Sequence, residues 1–472
     1  MILNRFRAGG VHGYLNFNVR FKRDLTLLTG INGSGKTSAI NAIMALLSPD
    51  FSALAALEYE FVEVDLTHEG ENFQIMAHTT EIGYDLTVKG VSRPLSVARF
   101  SLDPDAGNIK AIELENEHYR EFAAANSSHP VMQVINRLPT PMFLGLDRRP
   151  RFTVDERRRF SPWRYPKAGR HAVGPAHSRS LIDAADLAAT SNRDALIMTG
   201  RISDELRREL LLSLLSVSPE DYGNIVAPTS EEVAELGQIR KDLEAFPAIF
   251  KLPGDEVSLR VRPFLDALQS AADALPSGLN PQDVFSDSPP DQRLIAALVR
   301  WSANRSQLKR IRVISEVVAA YNERRRALQA PIQKYQALVN KFLCDSGKSI
   351  HFDEDGYIYV NVDGVVGRKD ITSLSSGEAQ IFVILSHLSF SGAASQANLF
   401  IVDEPELSLH VLWQEMFVDS VLEANPKIQY IMATHSPSVI LDRTAYCVDI
   451  SRKVKRKKEN SRPADNEGFD FA

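Results

Sequence analysis

The chain has 472 residues, 44% hydrophobic and 24% charged, which is the balance of an ordinary globular protein with room for two or three domains. The net charge of −6 excludes a generic polyanion binder, so nucleic-acid contacts would need local basic patches. No run of 18 apolar residues, no signal-peptide core and only two cysteines, Cys344 and Cys447, occur. We therefore expect a cytoplasmic protein without membrane spans, disulfide framework or zinc site.

The first motif along the chain is a phosphate-binding loop. An apolar strand, LTLLT at 25–29, leads into GINGSGKT at 30–37 and then into the apolar helical pattern SAINAIMALL. Glycines let backbone N–H groups wrap phosphates, and the following helix N-terminus adds a favourable dipole. Lys36 is expected on the β- and γ-phosphates and Thr37 on Mg²⁺. The predicted cofactor-binding residues here are Gly30, Asn32, Gly33, Ser34, Gly35, Lys36 and Thr37.

The composition changes after predicted strands at 54–66, 72–89 and 141–146. Residues 148–170 contain nine Lys or Arg against two acids, interleaved with four aromatic residues. Basic and aromatic side chains together are typical of DNA or RNA binding, through phosphate neutralisation and base stacking. A surface for a protein partner and a solvated linker are equally open interpretations. The six cations within 452–458 suggest a solvated tail, with a nucleic-acid or partner contact as the alternative.

The middle of the chain, 181–345, has a mainly helical apolar rhythm. Residues 291–344 keep this rhythm longest, and Pro331 is the expected break. A continuous helix there would be roughly 80 Å long, the length of a short arm. The stretch HFDEDGYIYV at 351–360 predicts a hairpin turning on Asp355-Gly356.

Two later strands end in polar side chains. The apolar run NLFIV leads to Asp403 and Glu404, and IQYIMAT leads to His435. Carboxyl ends of parallel strands meet at one sheet edge, where α/β proteins bind ligands. Asp403 is expected to hold Mg²⁺, Glu404 to orient and deprotonate the attacking water, and His435 to contact the γ-phosphate or that water. Glu404 and His435 are therefore the predicted catalytic pair.

The set GINGSGKT, LSSGE at 374–378, IVDEPE and ATHS resembles the ABC-type ATPase heads of the SMC, RecF and OLD families. The resemblance covers residues 1–50 and about 345–450. It implies a magnesium- and ATP-dependent ATPase with an α/β fold, a P-loop NTPase head split by a long, mainly helical insertion. The implied domains are 1–147 and 346–450 as halves of the head, 148–180 as a basic and aromatic linker, 181–345 as the insertion and 451–472 as the tail.

In such heads the signature loop closes over a nucleotide held by a second protomer. The resemblance therefore implies a homodimer or higher oligomer with composite ATP sites. This chain has LSSG where the family usually has LSGG, and Gln380 where a basic residue is usual. The implied ATP-binding residues of the signature are Ser375, Ser376, Gly377 and Glu378.

Three further family features are less well defined in this sequence. DEPELSLH at 403–410 resembles the OLD- and RecF-like form, which would place His410 near a dimer interface. The glutamine loop that senses Mg²⁺ matches either Gln74 or Gln133. The 37 residues after His435 are too few for the TOPRIM nuclease of OLD enzymes, so we expect any nuclease to be a separate polypeptide.

Two functions follow by analogy. One is an ATPase whose head dimerisation regulates a separate effector, a nuclease or toxin, as in the two-component anti-phage systems Septu and PARIS. The other is a RecF-like or SMC-like clamp that closes on DNA during repair or recombination. A transporter ATPase fits less well, because of the long insertion and the DEPE form.

Overall fold

The computed structural model describes residues 1–100, 108–144, 150–151, 177–215, 225–244, 256–276, 279–286, 291–391, 398–407 and 409–450. The chain forms two compact units. The first combines Met1–Ser191 with Lys334–Ala472, and the second is Asn192–Gln333. The second unit thus spans fewer residues than the predicted insertion, 181–345. The reason is that Leu181 and Phe342, near the two ends of that stretch, are buried in a core of the first unit.

An antiparallel sheet forms the N-terminal part of the first unit. Its strand order is β2-β1-β4-β5-β6-β7. The bounds are β1 Ile2–Val11, β2 Leu15–Arg20, β4 Phe61–His68, β5 Glu71–Thr79, β6 Gly83–Val88 and β7 Leu95–Ala98. Alternating burial in β2 shows that one face packs inward and the other faces solvent, as expected of an antiparallel sheet.

A second sheet of the first unit is mainly parallel, with the order β14-β3-β13-β12-β8-β9. The bounds are β3 Leu25–Thr29, β8 Met142–Leu144, β9 Pro150–Arg151, β12 Leu399–Asp403, β13 Gln429–Ala433 and β14 Cys447–Asp449. The strands β12 and β13 are buried at every residue, which explains their unbroken apolar sequences. Strand β9 pairs antiparallel with β8 at the sheet edge.

Helices pack on both faces of the parallel sheet. The helices of the first unit are α1 Lys36–Leu47, α2 Phe51–Ala56, α3 Asn108–Ala125, α4 Pro130–Ile135, α10 Ser376–Phe390, α11 Val411–Ala424 and α12 Pro437–Ile440. One core cluster joins α1 to the antiparallel sheet, and another joins α10 and α11 to the opposite face. The predicted hairpin is present as β10 Lys348–Phe352 and β11 Ile358–Val362.

The described secondary-structure elements of the second unit are all helices. The helices are α5 His177–Leu215, α6 Ser230–Glu244, α7 Glu256–Asp273, α8 Pro281–Ser286 and α9 Gln292–Leu343, of which α5 and α9 extend beyond the unit. The predicted break at Pro331 is wrong, because α9 continues through it. An interior proline costs about 3 kcal/mol, and burial of Tyr335 and Phe342 in the turns that follow offsets that cost. No helix among the described residues is long and apolar enough to cross a membrane.

Candidate functional site: a phosphate cleft at the parallel-sheet edge

The candidate site lies where three neighbouring parallel strands end. Strand β13 pairs with β3 on one side and with β12 on the other. The phosphate-binding loop follows β3, Asp403 ends β12, and Thr434 and His435 follow β13. Sequence-distant motifs therefore meet at one edge, as the parallel arrangement predicts.

A cleft of about 470 Å³ opens at this edge. Its walls contain seven of the predicted site residues, namely Asn32, Gly33, Gly35, Lys36, Thr37, Glu404 and His435. They also contain four residues that the sequence did not indicate, namely His12, Tyr14, Leu15 and Ser38. His12, Tyr14 and Leu15 belong to the β1–β2 hairpin, and His12 Nε2 lies 3.0 Å from Ser38 Oγ. Gly13 is typical of a turn between these two strands, but no sequence pattern places that turn beside α1.

The phosphate-binding loop is shaped by Gly35. Its φ of +88° lies in the left-handed region, and a Cβ there would lie 2.7 Å from both Leu15 Cδ1 and Phe17 Cζ. Any other residue would therefore be strained and would collide with the hairpin. The Lys36 ammonium donates to Gly30 O at 3.1 Å and contacts the His435 ring. Ser34 Oγ is buried without a hydrogen-bond partner, so the loop keeps an unused polar group.

The two acids differ in their environments. Asp403 is buried, accepts a hydrogen bond from the Thr37 hydroxyl, and has an Oδ1 atom without a hydrogen-bond partner. Burial raises the pKa of its carboxyl, and Thr37 and Lys36 oppose the shift. Glu404 has a φ of +52°, which is unusual outside glycine, and its N–H donates to Ala433 O at 2.9 Å. Burial and the Glu406 carboxyl raise the pKa of Glu404 to about 7.

His435 lies between Lys36 and Glu404. Its Nε2 is 3.4 Å from Glu404 Oε1, and the ring also contacts the Lys36 ammonium. Burial and the positive charge of Lys36 lower the pKa of the imidazole. The lowered pKa favours the neutral ring near pH 7, so the contact with Glu404 is not an ion pair.

Glu406 is a further polar residue of the site that the sequence analysis did not assign. Its Oε1 accepts hydrogen bonds from Thr434 Oγ1 at 2.8 Å, His435 N at 2.7 Å and Ser436 N at 3.0 Å. The motif DEPE contained the signal, because an acid two residues after Glu404 follows the same buried strand.

The signature residues begin α10 and do not line the described walls of the cleft. Ser375 caps α10 through a capping box with Glu378. The Glu378 carboxylate accepts from Ser375 N at 2.6 Å, Lys348 Nζ at 2.8 Å and Ser346 Oγ at 2.7 Å. Glu378 is thus occupied within its own protomer, whereas the Ser375 hydroxyl still has a proton to donate.

Other predicted positions lie away from the cleft walls or outside the described part of the chain. Gln74 donates to Glu63 within the antiparallel sheet, Gln133 is exposed on α4, and His410 is exposed before α11. None of these three lines the described cleft. Of the basic stretch 148–170, only Pro150–Arg151 lie among the described residues, and the tail 451–472 lies outside them.

Comparison with known families identifies the class. A model described as "AAA domain, putative AbiEii toxin, Type IV TA system" matches residues 203–442, more than half of the chain. The chain belongs to this family. A second AAA-domain model matches residues 7–148. These matches confirm the predicted class, a P-loop ATPase, and its α/β fold.

Individual relatives are more distant. The "Retron Vc95 probable ATPase" of Vibrio cholerae serotype O1 biovar El Tor is 30% identical over 100 residues, 21% of this chain. The alignment spans 19% of that relative's length. The Smc head domain of Pyrococcus furiosus, bound to the C-terminal domain of ScpA, has a TM-score of 0.37 and 13% identity, covering 93% of this chain and 91% of the other. The SMC head domain of Thermotoga maritima has a TM-score of 0.37 and 10% identity, covering 93% and 91%.

Proposed function

We propose that the protein binds ATP with Mg²⁺ in this cleft and hydrolyses it. The observation that carries the proposal is the convergence of Lys36, Glu404 and His435 in the walls of one cleft at the parallel-sheet edge. The phosphate-binding loop supplies backbone N–H groups and a helix N-terminus for the phosphates, and Lys36 supplies a positive charge.

The residues present fit a magnesium ion. Carboxylate and hydroxyl oxygens are the protein ligands that Mg²⁺ prefers. Asp403 Oδ1 is buried without a partner, and the Thr37 hydroxyl hydrogen-bonds the same carboxylate. Asp403 and Thr37 would hold the ion. When bound, it supplies positive charge that stabilises the charge developing on the phosphoryl oxygens.

Glu404 is the proposed general base. It takes a proton from water as the water oxygen bonds to the γ-phosphorus, the bond from that phosphorus to the β–γ bridging oxygen breaks, and ADP and phosphate result. A pKa of about 7 suits this task, because the carboxylate is partly ionised near neutral pH and still basic enough to accept the proton. The neutral His435 ring, in contact with both Lys36 and Glu404, would orient the γ-phosphate or the water.

We further propose that two protomers complete each ATP site. The start of α10 has its own capping carboxylate, Glu378, and the Ser375 hydroxyl keeps a proton to donate to an external anion. In a dimer, Ser375, Ser376 and Gly377 of one protomer would contact the γ-phosphate bound by the other. Glu378 would support that loop rather than touch ATP.

The proposed role of the ATPase cycle is control of a separate effector, a nuclease or toxin, in anti-phage defence. The family description names a toxin and a toxin–antitoxin system, and one relative is named as the probable ATPase of a retron. The alternative, a clamp on DNA, depends on the basic stretch 148–170 and is the competing outcome of the test.

The test uses the full chain with Glu404→Gln, which should retain ATP but not hydrolyse it. With ATP and Mg²⁺ this variant should elute as a dimer or larger, whereas Ser375→Arg should bind ATP and stay monomeric. Recovery of the trapped variant from its native cells with a stoichiometric nuclease or toxin supports effector control. Recovery with DNA and no protein partner supports the clamp. Parental ATP turnover by Glu404→Gln would contradict the base assignment, and normal turnover by Ser375→Arg would contradict the composite site.

A further inference from the structure

We propose that Glu406 is a positioning residue for ATP hydrolysis, which holds His435 in the cleft through hydrogen bonds to the backbone after β13. The proposal rests on the proposed ATPase function and extends it to a residue outside the cleft walls. Glu406 is not among the residues that line the cleft, so it acts through its neighbours rather than on the nucleotide. One of those neighbours is Glu404, whose pKa the Glu406 carboxyl helps to raise, and the others are the residues after β13.

The backbone after β13 needs a partner of this kind. Thr434 N makes the last bond to the neighbouring strand, with Leu28 O at 3.1 Å. The next two residues, His435 and Ser436, precede α12, and their N–H groups point to the Glu406 carboxylate. The Thr434 hydroxyl, which is fully buried, donates to the same oxygen. One carboxylate oxygen thus fixes three consecutive residues, and the His435 side chain stands on the middle one.

Gln414 on α11 makes further hydrogen bonds to the same turn. Ser436 Oγ donates to Gln414 Oε1 at 2.7 Å, and Gln414 Nε2 donates to Leu409 O at 2.9 Å. Gln414 therefore ties the turn that contains His435 to the segment that follows Glu406. The hydrogen bonds of Glu406 and Gln414 together connect the segment after β12 to the segment after β13.

This arrangement explains how the backbone of His435 is held in position although His435 follows the last residue of β13 and has no hydrogen bond to a neighbouring strand among the described residues. Charge-assisted bonds from backbone N–H groups to a carboxylate are short and about twice as strong as neutral ones. Removal of the carboxylate would leave the His435 N–H and the Thr434 hydroxyl without that acceptor, so the turn would rearrange. The phosphate-binding loop makes no bond to Glu406 in the described structure, so ATP affinity should change little.

The experiment is a double-mutant cycle in the full chain. Steady-state turnover with Mg²⁺ and ATP is measured for the parent, Glu406→Ala, His435→Ala and the double variant, with nucleotide affinity from calorimetry. We expect Glu406→Ala to lower kcat by about 10- to 100-fold, the usual cost of losing a group that orients a functional side chain, with ATP affinity within about twofold. In the His435→Ala background the same change should cost clearly less than in the parent, because the part that runs through His435 is already lost and only the effect on the pKa of Glu404 remains.

Two further variants refine the result. Glu406→Gln keeps a carbonyl oxygen that can accept the same three hydrogen bonds, so it should recover most of the lost turnover. Glu423→Ala, which removes an exposed acid from α11, is the matched control and should be neutral. Unchanged kcat for Glu406→Ala, or equal losses with and without His435, would overturn the proposal.

The outcome separates this inference from the ATPase proposal. If Lys36→Ala and Glu404→Gln both hydrolyse ATP at the parental rate, the proposed function fails and the inference falls with it. If those two variants are inactive and the cycle shows independent losses, only the role of Glu406 is wrong. If Glu406→Ala does not fold, Glu406→Asp, which withdraws the carboxylate by one methylene, replaces it in the cycle. No loss, or a loss independent of His435, then overturns the proposal in the same way.

Discussion

The protein has two helix N-termini that its motifs assign to phosphate, and they are built in opposite ways. At the start of α1, Gly35 makes no side-chain capping bond and Ser34 Oγ is buried without a partner. At the start of α10, a complete capping box holds Ser375 and Glu378, and Lys348 neutralises the Glu378 carboxylate. The first helix start lies in a cleft, and the second does not line that cleft.

The difference in capping indicates which of the two helix N-termini is stabilised by a bound anion. An uncapped helix start has unsatisfied N–H groups and a positive dipole end, so an anion there stabilises the structure. A capped start has satisfied its own donors and gains less from an added anion. Substitutions around the first start should therefore change nucleotide binding and turnover, whereas those at the second should first change stability or assembly.

The largest effect is expected for Glu404→Gln in the cleft. The amide cannot accept a proton from water, so kcat should fall by about 1,000-fold, within the range for loss of a general base. ATP affinity should be retained, since the amide also removes a negative charge near the phosphates. Phosphate release and calorimetry measure the two quantities, with Glu423→Gln on α11 as the control. A loss of affinity equal to the loss of kcat would mean that Glu404 binds the nucleotide rather than activating water.

The next largest effect is expected for Lys36→Ala. The buried ammonium contributes charge-assisted bonds to the phosphates, so ATP affinity should fall by about 100-fold or more. Titration with a fluorescent ATP analogue measures this, and Lys89→Ala, an exposed lysine after β6, is the control. Unchanged ATP affinity would contradict the assignment of the nucleotide phosphates to the N-terminus of α1 rather than that of α10.

A loss of stability is expected for Glu378→Ala at the second helix start. Lys348 Nζ, Ser375 N and Ser346 Oγ would all lose an acceptor, and the partly buried Lys348 would lose its ion-pair partner and keep only its bond to Ser373 O. The free energy of unfolding should fall by roughly 2 to 4 kcal/mol, as measured by urea denaturation. ATP affinity of the monomer should not change. Reduced ATP affinity without reduced stability would contradict the assignment of Glu378 to support.

The smallest effect is expected for Tyr14→Ala on the β1–β2 hairpin. The ring is 55% exposed and lines the cleft, so a nucleobase can pack against it. Aromatic packing is worth about 0.5 to 1.5 kcal/mol, which corresponds to a 2- to 10-fold loss of ATP affinity. Tyr14→Phe should be neutral. An equal loss of affinity for inorganic triphosphate would show that Tyr14 does not contact the base.

The sequence predicted the cleft better than its surroundings. The motifs after β3, β12 and β13 are local in sequence, and each ends a buried apolar run, so their shared edge followed from parallel pairing alone. The hairpin residues His12 and Tyr14 were missed because a turn pattern contains no information about its tertiary neighbours. A break was predicted at Pro331 because proline has a low propensity for helix interiors. The helix continues there because burial of the turns that follow outweighs that local propensity.

The sequence by itself determined the P-loop ATPase class, the phosphate-binding loop, the order of the acids and His435, and the helical character of the middle. The tertiary structure decided which polar groups have partners. Glu378 is occupied by Lys348 and Ser346, whereas Asp403 Oδ1 and Ser34 Oγ have no partner, and Glu406 holds the backbone that carries His435. Local motifs are fixed by bonds between near neighbours along the chain. Hydrogen-bond partners from distant segments are fixed only when the sheet brings its strands together.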